Sequence, residues 1–320
     1  MSLAWTVELF RRDDLADVGI GAVPLRRLLA ANELTVVRPG VYLRQNAASA
    51  FTVEDRIIVR ARAVALVSHR PPVFSHLTAA ALHGLPVYGV RDRSVHTIVP
   101  GSRPRASQGV VRHRGALDEG DIVERVGLRC TSLVRTVADV ARTSERETSV
   151  CVADAALRLV AMSRTYDADR AQELRAAAAG IARGSAHGIW RAERVLEFAD
   201  GRAQLPGESI SRIRLAQLGF ARPDLQVRVA GPHGQDFFVD FGLDDVHALG
   251  EFDGLGKYTN PDLRSGRDLE RTLLEEKARE DWIRGTTGRP LARWGWDHIG
   301  SAQSLGTRLA AFGLVPPRSR

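Results

Sequence analysis

PLRRLLAANELTVVRPGVYL, residues 24–43, decides how the first part of the chain is read. Pro24 suits the first turn of a helix, where its missing N–H would have no partner in any case. Leu25, Leu28 and Leu29 recur at helical spacing and give that helix one apolar face, with Arg26 and Arg27 off it. TVVRPGVYL then alternates about Pro39-Gly40, a turn pair between two short strands. Upstream, Leu9, Phe10 and Leu15 fall at helical spacing within residues 8–17, and Gly19 and Gly21 interrupt that helix.

Helix, turn, helix and hairpin make a winged-helix pattern. Its geometry suits DNA, because the second helix enters the major groove while the hairpin reaches a flanking groove. The same pattern also serves as a packing module without nucleic acid, and the charge of residues 1–45 is nearly balanced.

Working outward, residues 51–69 read as an amphipathic helix, and VFSHLTAAALHGLP as a second helix with Ser75 as its cap. Residues 94–99 and 109–113 read as strands. TSLVRTVADVAR is helical with Thr131 or Ser132 as cap, SVCVADAALRL is another apolar helix, and 168–200 is a helical stretch rich in Ala and Arg. The break at GRAQLPG sets a domain boundary near 200–206. Beyond it come a helix (ESISRIRLAQLGF), three strands (DLQVRV, DFFVDFG, HALGEFDG), a long helix over 267–284, a Trp-rich strand (LARWGW) and a last helix. At 320 residues the length fits about two domains. The fold class expected is α+β in two domains: a winged helix-turn-helix (1–48) with a mixed, largely helical region (49–204), then an α/β core (205–320).

No run approaches the length of a membrane span, and the start MSLAWTVELFRRDDL lacks the layout of a signal peptide, so a cytoplasmic protein is expected. Cys130 and Cys151 form no metal-binding spacing and read as buried, reduced thiols. Basic residues number 45 and acidic ones 38, for a net charge of +7. Lys257 and Lys277 are the only lysines, so arginine supplies almost all the positive charge, as in a GC-rich coding sequence. The whole excess lies before residue 205 and is densest over 91–114, where six arginines face a single acid, Asp92. Such asymmetry suggests an acidic partner such as DNA. Arg103, Arg105, Arg112 and Arg114 are the candidate phosphate contacts there, alongside Arg26, Arg27 and Arg38 of the winged helix; the competing reading is a solvated surface. His69, His76 and His83 recur every seven residues, but Pro71-Pro72 divides them and their spacing favours packing over a metal; His96 and His113 are expected to flank the arginines at the surface.

Four carboxylates stand out in the second domain. Glu208 opens its first helix, Asp240 ends a strand, and Glu251 and Asp253 share one face of the next strand. Neighbouring acids repel unless they share a divalent cation, and Mg²⁺ takes oxygen ligands, keeps waters and binds phosphate. Lys257 and Lys277 lie close enough in sequence for either to orient a water. Each acid also has a structural reading: Asp253-Gly254 is a common turn, and Glu208 favours a helix N-terminus.

Residues 205–300, through PGESISRIRLAQLG, LQVRV, FFVDFG, GEFDG and EKARED with LARWGW, resemble the PD-(D/E)xK nuclease superfamily near the very-short-patch-repair endonucleases. The resemblance implies Glu208, Asp240 and Glu251 as ligands of Mg²⁺ or Mn²⁺. The usual acid-x-Lys is replaced by Glu251-x-Asp253, so the implied lysine would be Lys257 or Lys277, supplied from a neighbouring element. Gln226 matches a polar strand position of relatives. Residues 5–160, through the 24–43 stretch, SHLTAAALHGLP, SVHTIVP, VVRHRGAL, GLRCTSLVRTVADVAR and ADAALR, resemble the AbiEi-type antitoxins. That resemblance implies winged-helix DNA binding and a cognate toxin protein as partner. The expected function is a DNA-binding protein with a Mg²⁺-dependent endonuclease domain. The alternative is a non-catalytic repressor or antitoxin whose nuclease-like domain only binds, and a third reading is a structural, partner-binding protein.

Overall fold

The computed structural model describes residues 4, 6–44, 51–91, 94–101, 108–254 and 266–317. The chain divides into two compact units, one of residues 1–160 and 168–199, the other of 161–167 and 200–320. Both mix helices with sheets. Among the described residues no helix is long and apolar enough to cross a membrane.

The first unit opens with β1 (Leu9–Arg11), α1 (Arg12–Asp17), α2 (Ala22–Ala30), β2 (Leu34–Arg38) and β3 (Val41–Arg44). The strands form an antiparallel sheet in the order β1-β3-β2. Leu15, Leu25, Leu34 and Tyr42 form its core, with Phe10, Leu28 and Leu29 packed against them. Leu9 and Phe10 were expected on a helix. They instead pair with Leu43 and Tyr42, because a third strand satisfies the backbone edge that β3 would otherwise leave open. The helix starts only at Arg12, whose preceding N–H donates to Asp14 Oδ2 at 2.8 Å.

There follow α3 (Val53–Leu66), β4 (Val73–Phe74), α4 (His76–Leu82), β5 (Val95–Val99), β6 (Val110–Arg114), β7 (Ile122–Arg125), β8 (Leu128–Thr131), α5 (Leu133–Thr143), α6 (Arg146–Ala161), α7 (Ala168–Arg183) and α8 (Ile189–Phe198). The five strands run in the order β6-β5-β4-β8-β7. Thr52 and Asp55 close α3 with a reciprocal cap, and Ser132 accepts the Arg135 N–H at the start of α5. Ser75 stands at the cap position of α4, but its hydroxyl bonds the His76 ring instead of the helix backbone. The helical stretch expected over 168–200 is two helices, parted at Gly188, whose φ of 81° lies in the left-handed region. Both cysteines are buried and unbridged.

The second unit has α9 (Pro206–Leu218), β9 (Asp224–Ala230), β10 (Asp236–Leu243), β11 (Ala248–Asp253), α10 (Gly266–Thr287), β12 (Leu291–Gly295), α11 (Trp296–Ile299) and α12 (Ala302–Ala310). Pro206 at the first turn and Gly219 past the last fix the ends of α9. The sheet order is β12-β11-β10-β9, antiparallel except for the parallel pair β11–β12. On one face Val229, Val239, Leu249 and Leu291 pack on Ile283 of α10. On the other, Trp294 stacks on Phe241 and donates from Nε1 to Ser211 Oγ of α9 at 2.8 Å.

Candidate functional site

Two regions hold the residues that the sequence singles out, one in each unit. In the first, burial of Leu25 turns α2 so that Arg26 and Arg27 are exposed. Arg38 ends β2 just before the Pro39-Gly40 turn; it is half-buried, and its Nε is buried without a hydrogen-bond partner. Arg112 and Arg114 alternate outward on β6 and are both exposed. Arg103 and Arg105 lie outside the described residues.

The histidines of this unit meet in a way their spacing does not show. His96 of β5 and His113 of β6 were expected to flank the arginines at the surface. Instead they are half-buried, with His96 Nδ1 2.9 Å from His113 Nε2, and the buried His76 ring lies 3.4 Å from that of His113. Parallel pairing of β5 with β6 and the start of α4 bring the three together. The rings are stacked within 15–30°, so their in-plane lone pairs do not converge on one point. Burial, followed by the charges of His113, His96, Arg142 and Arg135, pushes His76 down to about 2. Burial, then His96 and Arg142, pushes His113 down to about 4. Both are neutral at pH 7.

In the second unit the structure brings Glu208 and Asp240 together through Gln226. Glu208, 3% exposed, accepts from the Gln204 backbone N–H at 2.8 Å. Asp240 accepts from the Phe252 backbone N–H at 2.8 Å. The Gln226 amide lies 3.5 Å from both carboxylates, and its own carbonyl accepts from the Gln204 side chain at 2.7 Å. Gln226 has φ of 56°, uncommon for a residue with a side chain. Opposite it β10 changes face: Val239 packs with Leu249 and Ile283, whereas Phe241, two residues on, stacks on Trp294. Regular alternation would keep both on one side. The irregularity lies at Asp240 and Gln226, where strained backbone often marks a functional position.

The Glu251 carboxylate is held by other partners. Its Oε1 is 2.5 Å from Arg279 of α10, and its Oε2 is 2.9 Å from Arg293 of β12. Arg279 and Arg293 also pair with Glu276, and Glu280 lies at the edge of the network. Two guanidiniums therefore neutralise the carboxylate expected to complete a metal site. Among the described residues no group of three or more His, Cys, Asp or Glu is gathered as a metal would require. Glu208, Asp240 and Glu251 as arranged do not fit a three-carboxylate cation site. Asp253 is half-buried at the end of β11, Lys277 is exposed on α10, and Lys257 lies outside the described residues. The sequence reading missed Arg279 and Arg293, whose only signal was the acidic run 275–276 and 280–281 around Arg279.

Residues 1–45 match the family model described as "Transcriptional regulator, AbiEi antitoxin". Over 185 residues the chain is 30% identical to an uncharacterized protein of Mycobacterium tuberculosis strain CDC 1551 / Oshkosh, covering 58% of this chain and 63% of that protein. An uncharacterized protein of strain ATCC 25618 / H37Rv matches at the same identity and coverage. The chain thus spans less than two thirds of the length of these curated relatives.

Proposed function

We propose that the chain is a DNA-binding transcriptional regulator of the antitoxin kind, which docks α2 in the major groove and the β2–β3 hairpin on the flanking backbone. The observation that carries this reading is that residues 1–45, which match the regulator family, fold so that Leu25 is buried and Arg26 and Arg27 stand exposed. Arg38 at the hairpin, with Arg112 and Arg114 on β6, extends the phosphate contacts; Arg103 and Arg105 are proposed to join them. Residues 1–48 serve as the winged helix and 49–204 as the remainder of an AbiEi-like region. The partners are DNA and a cognate toxin protein. Anisotropy titration of the full chain with duplex from its own promoter, at several salt concentrations, tests the reading. Changing both Arg26 and Arg27 to Ala is expected to weaken binding by about 1–3 kcal/mol and to flatten the slope of log K against log salt, which is about −0.9 per phosphate neutralised. Unchanged affinity and slope would reject docking through α2.

A second reading, Mg²⁺- or Mn²⁺-dependent phosphodiester hydrolysis by residues 205–320, is favoured by the meeting of Glu208 and Asp240 at the strained Gln226. It would use Glu251 and Asp253 as further acids and Lys257 or Lys277 to orient the water. Because Glu251 is ion-paired to two arginines, we assign this PD-(D/E)xK-like domain to binding without cleavage. Incubating duplex, nicked and mismatched DNA with Mg²⁺ or Mn²⁺ is expected to give no more product than the Asp240→Ala protein gives. Cleavage above that control would establish the endonuclease.

A further inference from the structure

A cavity of about 670 Å³ in the first unit lies among β2, β3 and the start of α3. Its size falls within the usual range for small-ligand sites. Val36, Val37, Leu43, Phe51, Val53 and Ile57 form its apolar side, with Arg56, Arg60 and Arg91 among the other lining residues. No Asp or Glu lines it among the described residues.

Two features mark it as built to receive something. Thr35, Val36 and Val37 all line it, although consecutive strand residues ordinarily face opposite ways. The ladder explains this: Val36 pairs with Tyr42 and Arg38 with Val41, so Val37 is the extra residue of a bulge, a device that re-aims side chains. In addition, Val36 is 50% exposed and Val53 41%, so apolar surface is left in water beside guanidinium groups. An apolar wall alone would take a neutral ligand. Arg56, in a lining that holds no Asp or Glu among the described residues, favours one that carries a planar anion, which a guanidinium binds through two hydrogen bonds.

We propose that this cavity binds a small carboxylate with an apolar body, the tail against Val36, Val37, Phe51 and Ile57 and the carboxylate at Arg56. The site is apart from α2 but shares the β2–β3 hairpin with the proposed DNA contact; ligand binding does not depend on the DNA reading, and within that reading it is where an effector would bind. The test titrates the full chain with 1-anilinonaphthalene-8-sulfonate, an apolar anion that fluoresces when bound, and displaces it with decanoate or decanol. Saturable binding is expected, with decanoate competing about tenfold better than decanol and losing about tenfold in affinity in Arg56→Met. Val36→Glu, at a position 50% exposed, is expected to abolish decanoate binding by repulsion. Equal competition by decanol, or decanoate affinity unchanged in both variants, would overturn the proposal. Promoter affinity of the unaltered chain, measured without decanoate, tests the DNA reading separately.

Discussion

His76 shows how a residue's chemistry follows from its surroundings. In the unfolded chain a histidine takes up a proton near its ordinary value of 6.5. In the fold His76 stays neutral until about pH 2 and His113 until about pH 4. The unfolded state therefore binds more protons in this interval, and stability falls as pH drops below about 6.5, down to those lower values. His76→Asn accepts the residue's φ of 51° and removes one such group. Its melting temperature is expected to fall less steeply between pH 7 and pH 4 than that of the parent, measured by circular dichroism. Parallel curves would show that the stack does not control acid sensitivity. Single residues were also where the sequence was most and least legible. Glu208 and Asp240 could be picked out because an acid at a helix start or at the end of an apolar strand is conspicuous. The ion pairs of Glu251 could not, since Arg279 and Arg293 reach it from other elements. Nor does anything in LQVRV show that Gln226 turns left-handed.

Among the elements, helices with clear stops were the most legible. Pro206 and Gly219 bound α9 in the sequence as they do in the fold. β1 was misread because three residues hold less than one helical turn, so Leu9 and Phe10 fit either period, and only pairing with β3 decides between them. The fit of α9 on its sheet depends on a missing side chain: a Cβ on Gly207 would lie 2.0 Å from the ring of Phe252. Gly207→Ala must therefore move that ring or the helix, and is expected to cost about 1–3 kcal/mol, read as a lower urea midpoint at unchanged m. An unaltered midpoint would mean that Phe252 has room to rotate. Because Phe252 donates its N–H to Asp240, the same substitution reaches the acidic pair through the backbone.

At the scale of the whole molecule, composition and punctuation carried the reading. The positive excess confined to residues before 205, and the Gly- and Pro-bearing break after Asp200, were visible without coordinates. The five-stranded order β6-β5-β4-β8-β7 was not, because it joins strands through pairings that no local pattern encodes. In the second unit, β9, β10 and β11 follow one another as neighbours, whereas β12 must come back across all of residues 254–290 to lie parallel to β11. Time enters here. Hairpins close in microseconds, but a long crossover must first lose the entropy of its loop. Refolding of this unit is expected to form the β9–β11 meander early and to seat β12 last. Trp294 lies on β12 and is 1% exposed, so its burial reports that final step. In stopped-flow refolding, the fluorescence change removed by Trp294→Phe should lag behind the far-ultraviolet dichroism; coincident traces would mean that the sheet assembles all at once. Until β12 arrives, the β11 edge is open to strands of other chains, so the interval before closure is when the protein is most prone to aggregate.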